Sequence, residues 1–168
     1  MGDVRPHLWF SSGAEQAAEF YAATVKNSSV TKVVRALPGT PGVEEGAAFI
    51  VELVLDGMPV TAINAGPVFQ LDEAFSFYLT CYSQEGVDHY WDALVAGGGE
   101  HSQCGWLKDR FGVSWQVVPQ QLEEIMDRPD SDGVNRAMQA MLGMQKLDIA
   151  ALEAAYAGED VSSASART

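Results

Sequence analysis

The chain has 168 residues, of which 47% are apolar and 20% charged, and its 23 acids against 10 bases give a net charge of −13. That length suits one well-buried domain or two small modules sharing a core, and the composition is that of an ordinary soluble globular protein. A chain this acidic lacks the clustered Lys and Arg that phosphate backbones require, and no stretch approaches the roughly 20 apolar residues of a membrane span, so neither nucleic acid nor a membrane is an expected partner. The first residues, MGDVRPHLWF, carry an acid and no long apolar run; no signal peptide is visible and a cytoplasmic location is expected. Two cysteines, Cys81 and Cys104, are too few for a disulfide framework and show no CxxC spacing, so reduced thiols are expected.

In chain order, PHLWF (Pro6 to Phe10) is a short β-type run, and SSGAEQAAEFYAATV after it opens with a serine cap and places Ala14, Ala17, Ala18, Tyr21 and Ala22 at helical spacing. TKVVRAL, AAFIVELVLDG and MPVTAINAG read as three strands, the last two joined at Asp56-Gly57, a strong hairpin signal. GPVFQLDEA is a polar connection marked by Gly and Pro. The pattern then restarts: FSFYLTCY is a strand, SQEGVDHYWDALVAGGG a Ser-capped amphipathic helix closed by glycines, and EHSQCGWLKD with FGVSWQVVP a second hairpin. In the turn of that hairpin, Asp109 is expected to bond backbone and Gly112 to supply an unusual backbone angle.

The halves are one unit written twice, with Phe20-Tyr21 matched by Tyr90-Trp91 seventy positions later. The expected fold is α+β: two βαβββ modules, about 1–68 and 73–120, whose curved sheets pair around a shared cavity with each helix on an outer face. From 121 to 158 the composition predicts two or three short helices broken at Pro129-Asp130, with Met138, Met141 and Met144 in helical spacing for packing or a subunit interface. Residues 159–168 are small, polar and expected to fray.

PHLWFSSGAEQAAEFY, QEGVDHYWDAL, CGWLKDRFGVSWQVVP and AMLGMQKLDIAALEAAY together resemble the PhnB-like branch of the vicinal oxygen chelate superfamily, whose members often carry a name taken from demethylubiquinone methyltransferases. The three glycines Gly97-Gly98-Gly99 follow a helix and do not open one, so they do not make the glycine-rich strand-to-helix turn that would cradle a methyl donor. The superfamily includes glyoxalase I and extradiol dioxygenases. The resemblance implies paired βαβββ modules and a cavity in which a divalent metal can take ligands from the first and last strands of each module.

Strand parity then assigns candidates to that cavity. On the last strand Ser114, Gln116 and Val118 face inward while Trp115 and Val117 face the helix, which puts Gln116 about where the metal-binding relatives carry a carboxylate. A neutral amide oxygen is a poorer donor than a carboxylate to a divalent cation. On the first strand Leu8 and Phe10 face the helix and Arg5, His7 and Trp9 face inward; His7 is the best imidazole candidate, with a strand-end histidine bonded to backbone or water as the plain alternative, and Trp9 is equally a core-packing residue. Val60, Ala62 and Asn64 share a face offering no carboxylate, and Ser76, Tyr78 and Thr80 face the cavity from the fifth strand. His89 and His101 fit structural or exposed positions. Any metal would be a weakly held divalent ion on His7 and Gln116, since such a set does not close the shell that zinc favours. A small organic ligand held by His7, Trp9, Asn64, Tyr78 and Gln116 fits a cavity with aromatic walls and a few fixed polar groups.

Three functions follow: a small-molecule-binding protein, a metal-dependent lyase, isomerase or dioxygenase, and a non-catalytic dimeric scaffold. The lack of carboxylates at the ligand positions favours the first. A homodimer is expected, because a second chain would cover sheet edges and the apolar surplus of the tail.

Overall fold

The computed structural model describes residues 2–159; all of the expected frayed end except Glu159 lies outside the described residues. The chain divides into two compact units, Met1–Glu73 and Ala74–Thr168.

The first unit is a four-stranded sheet with one helix. Its elements are β1 (His7–Phe10), α1 (Ala14–Thr24), β2 (Ser29–Arg35), β3 (Ala48–Leu55) and β4 (Met58–Asn64), and the sheet order is β1-β4-β3-β2. β1 runs parallel to β4, while β3 is antiparallel to both β4 and β2. Strand alternation produces the core: Leu8 and Phe10 of β1, Val51, Leu53 and Leu55 of β3, and Val60 and Ala62 of β4 are buried. Against them α1 buries Ala14, Ala17, Ala18 and Tyr21, one stripe at helical spacing whose small side chains let the backbone come close. The β3–β4 turn takes positive φ at both Asp56 (44°) and Gly57 (84°), the conformation that the Asp-Gly signal predicts.

The second unit repeats this plan with β5 (Ser76–Cys81), α2 (Gln84–Val95), β6 (Glu100–His101), β7 (Trp106–Lys108) and β8 (Ser114–Pro119), ordered β5-β8-β7-β6 with β5 parallel to β8. The expected single strand EHSQCGWLKD is two short strands, because Ser102–Gly105 turns the chain and Cys104 and Gly105 both take positive φ. Ser83 caps α2, accepting from the Gly86 N–H at 3.2 Å, and Val87, Trp91 and Leu94 form its buried stripe. Tyr21 and Trp91, the seventy-residue pair, are the large buried aromatics of the two helices. In the β7–β8 turn, Asp109 accepts from the N–H groups of Phe111 and Val113 and from the Trp115 indole, while Gly112 has φ 89°.

Three further helices, α3 (Gln120–Met126), α4 (Ser131–Leu142) and α5 (Ile149–Ala157), make up the tail. Leu122, Ile125, Ala137, Leu147 and Leu152 join Val118 of β8 in one buried cluster, so the tail belongs to the second unit's core. No helix among the described residues is long and apolar enough to cross a membrane.

Candidate functional site

On β8, Trp115 and Val117 are buried on the α2 side, with Trp115 4.9 Å from the Phe77 ring, and Ser114, Gln116 and Val118 take the other face. Register extends that other face across the sheet. Ser76 pairs with Ser114, Tyr78 with Gln116 and Thr80 with Val118, while Trp106 and Lys108 of β7 pair with Gln116 and Ser114 from the opposite flank. The result is a polar surface in rows: Ser76, Ser114 and Lys108, then Tyr78, Gln116 and Trp106.

Within it the hydrogen bonds are specific. The Gln116 Nε2 donates to Ser76 Oγ at 2.9 Å, which fixes the amide and leaves Oε1 outside that bond. Ser114 is only 2% exposed, yet its hydroxyl has no hydrogen-bond partner. A buried hydroxyl without a partner costs roughly 1–3 kcal/mol. Tyr78 is half exposed; burial first, and then a hydrogen bond to Glu123 and its charge, hold the phenol above the ordinary tyrosine value. Glu123 lies on α3 and was not among the residues that the sequence singled out.

The first unit's candidates divide between the two faces of its sheet. His7 is exposed and Trp9 half-buried on the side opposite Leu8 and Phe10; the Trp9 indole donates to the Gly66 carbonyl at 3.0 Å and its ring meets Phe69 edge-on at 4.9 Å. Asn64 does not share their face. The parallel register pairs it with Phe10, which turns it toward α1 with Val60 and Ala62. There its Oδ1 accepts from the Ala14 N–H and its Nδ2 donates to the Ala48 carbonyl, both at 2.9 Å. The expected serine cap of α1 is also replaced: the N-cap is Gly13 in the left-handed region, no side chain of that residue caps the helix, and the Asn64 amide takes the first helical N–H instead. Asn64 therefore holds helix to sheet, and its amide oxygen is already engaged.

These facts bear on the divalent metal that the superfamily implies. Gln116 offers only a neutral amide oxygen, Asn64 faces α1 with both ends bonded, and among the described residues no group of three or more His, Cys, Asp or Glu side chains could hold a metal ion. The residues do not fit such an ion. His101 stacks on Trp91 at 4.3 Å with its Nε2 3.1 Å from the Trp91 carbonyl, a packing role.

An open cleft of about 510 Å³ lies in the first unit, at the start of α1, lined by Ser11, Ser12, Gln16, Arg35 and Glu44 among others. Its guanidinium, Arg35, is held by both carboxylate oxygens of Glu15 at 2.7 and 2.8 Å.

Two βαβββ units of this topology, with the polar faces just described, define the vicinal oxygen chelate class. Within that class the chain belongs to the family described as 3-demethylubiquinone-9 3-methyltransferase, the PhnB-like branch, whose model matches residues 2–118. Among solved structures it is similar to the PhnB protein of Bacillus cereus (26% identity, TM-score 0.64, covering 70% of this chain and 99% of that one). Protein PA1353 of Pseudomonas aeruginosa (18%, TM-score 0.59, 71% and 98%) and the fosfomycin resistance protein FosX of Listeria monocytogenes (15%, TM-score 0.54, 76% and 98%) share the fold. No curated protein matches the sequence. The family match ends at Val118, so α3, α4 and α5 lie beyond it.

Proposed function

We propose that this protein binds a small organic molecule on the polar face of its second sheet, with Gln116 and Tyr78 as principal contacts and Ser76 beside them. The observation that carries this reading is the part-buried Gln116 amide, fixed through Nε2 by Ser76 with Oε1 outside that bond, in a row that runs from the half-exposed Tyr78 to Trp106. His7 and Trp9 are the candidates on the corresponding face of the first sheet. The methyl transfer in the family's name finds no support in the glycine-rich segment, because Gly97 and Gly98 close α2 in positive-φ conformations and the chain then enters β6, not a helix. We further propose that the protein acts as a homodimer in the cytoplasm.

The test is ligand-induced thermal shift against a metabolite panel. Gln116→Leu replaces the amide by an apolar group of similar volume, so the fold is expected to survive while a hit is weakened by roughly 1–3 kcal/mol. Equal shifts in wild type and variant would remove Gln116 from the site.

A further inference from the structure

The row through Gln116 carries an aromatic residue on each side. Tyr78 and Trp106 stand on the two strands that flank β8, both across from Gln116, so their backbones lie two strand spacings apart, roughly 9–10 Å. The side chain between them leans out of that row. Ser76 pairs with Ser114, one row back along β8, and the 2.9 Å bond from Gln116 Nε2 to Ser76 Oγ draws the amide that way. In the other direction the face is closed, because Val118 lies in the buried cluster with Leu122 and Ile125 of the tail.

Trp106 is unlike the other three tryptophans. Each of those packs on a ring, Trp9 on Phe69, Trp91 on His101 and Trp115 on Phe77. Trp106 is half-buried, and among the described residues its side chain has neither a ring nor a hydrogen-bond partner. Its backbone is nonetheless fixed. The N–H groups of Cys104 and Gly105, just before it, donate to the Met144 and Gln145 carbonyls at 2.8 Å, and its own N–H donates to the Gln103 carbonyl at 3.0 Å. Across the row Tyr78 is half exposed and, among the described residues, meets no other ring. A flat ring stacked between two others needs about 3.5 Å on each side, about 7 Å in all, which a separation of two strands admits.

We infer that the ligand of this face carries a planar aromatic or heteroaromatic ring, which lies between Tyr78 and Trp106 with its edge toward Gln116. The inference rests on the reading of this face as the ligand site. A saturated ring of the same size is thicker and has no π system to offer either side chain, so it binds less well.

Benzamide and cyclohexanecarboxamide are matched probes: both are neutral and carry the same amide donor for Gln116 Oε1, but only the first is flat. Binding is read in the full chain by the NMR shifts of the Gln116 side-chain amide and the Trp106 indole. Wild type is expected to bind benzamide at least about fivefold more tightly, the scale of two aromatic contacts, with nuclear Overhauser effects from the probe to both the Tyr78 and Trp106 rings. Tyr78→Leu and Trp106→Leu keep an apolar side chain at half-exposed and half-buried positions, so both should fold, and each should lower that ratio at least about twofold. A ratio unchanged in either variant would overturn the stacking. Equal affinities for the two probes in wild type, with Gln116 still shifting, would overturn the ligand class and leave the site standing. If neither probe moves Gln116 or Trp106 up to its solubility limit, the inference fails; a non-planar metabolite whose binding Gln116→Leu weakens would then keep the site, and its absence would remove both.

Discussion

Asn64 shows how much one side chain can decide. It is 9% exposed, and each end of its amide answers a backbone group that would otherwise be orphaned, the first N–H of α1 and the carbonyl of Ala48. Asn64→Ala is expected to destabilise the first unit by roughly 2–4 kcal/mol, since two backbone groups lose their partners at once. Ser12→Ala should lie within about 0.5 kcal/mol of wild type, because α1 takes its first hydrogen bond from Asn64 and not from a serine. Urea melts of the two variants check the pair, and a reversed order would return the cap to the serines. The sequence made Val60, Ala62 and Asn64 one face through simple alternation. It could not say which side of the sheet that face takes, because the side depends on the register between β1 and β4, which lie some fifty residues apart. Gln116 was more legible, since hydrophobic Trp115 and Val117 beside it mark the helix side without reference to any other strand.

Among the elements, the tail is where local sequence says least. Helical spacing and the break at Pro129-Asp130 predict the helices, but nothing in them predicts where they dock. They dock on a turn: the N–H groups of Cys104 and Gly105 donate to the carbonyls of Met144 and Gln145, each at 2.8 Å, and Gly105 accepts from Val117 on the other side. Gly105 has φ 81°, and a Cβ there would stand 2.8 Å from the Val117 carbonyl oxygen and 3.0 Å from a Leu147 methyl. Gly105→Ala should therefore cost at least about 1–3 kcal/mol from the backbone conformation alone, with the steric conflict added. Limited proteolysis should show its tail released before the rest of the second unit is cut; simultaneous loss would mean that tail and sheet unfold as one. Acid should loosen the same region. Arg128 holds both carboxylate oxygens of Glu153 at 2.7 Å and keeps that carboxyl below its ordinary value. A group whose folded-state value is depressed stabilises the fold above the unfolded carboxylate value and loses that contribution as pH falls through the lower, folded one. Thermal melts across the acid range should accordingly show a smaller loss of stability for Glu153→Gln, which starts lower and has no such proton to take up.

At the scale of the whole molecule, the internal repeat was the most legible feature, because two copies of one strand–helix–hairpin pattern must bury two similar faces whatever their details. Association is harder to read from sequence, since it depends on which apolar side chains the fold leaves outside. Leu37, Val68 and Phe69 are more than half exposed, and Phe75 and Leu142 add to them. Single exposed apolar residues are ordinary, but Val68, Phe69 and Phe75 fall on one short connection, and Phe69 is braced by the Trp9 ring. Each sheet also ends in edge strands, β1 and β2 in the first and β5 and β6 in the second, whose outer backbone groups have no strand to pair with inside their own sheet. Both features favour a second copy of the chain as the covering partner. The opposing term is charge: at −13 per chain, two copies repel at a range set by the ionic strength. The expected outcome in sedimentation at tens of micromolar and physiological salt is a dimer that dissociates more readily as salt is lowered toward about 10 mM, where the screening length approaches roughly 30 Å. A dimer indifferent to salt would mean that its interface lies far from the acidic surface, and a monomer under both conditions would defeat the proposal.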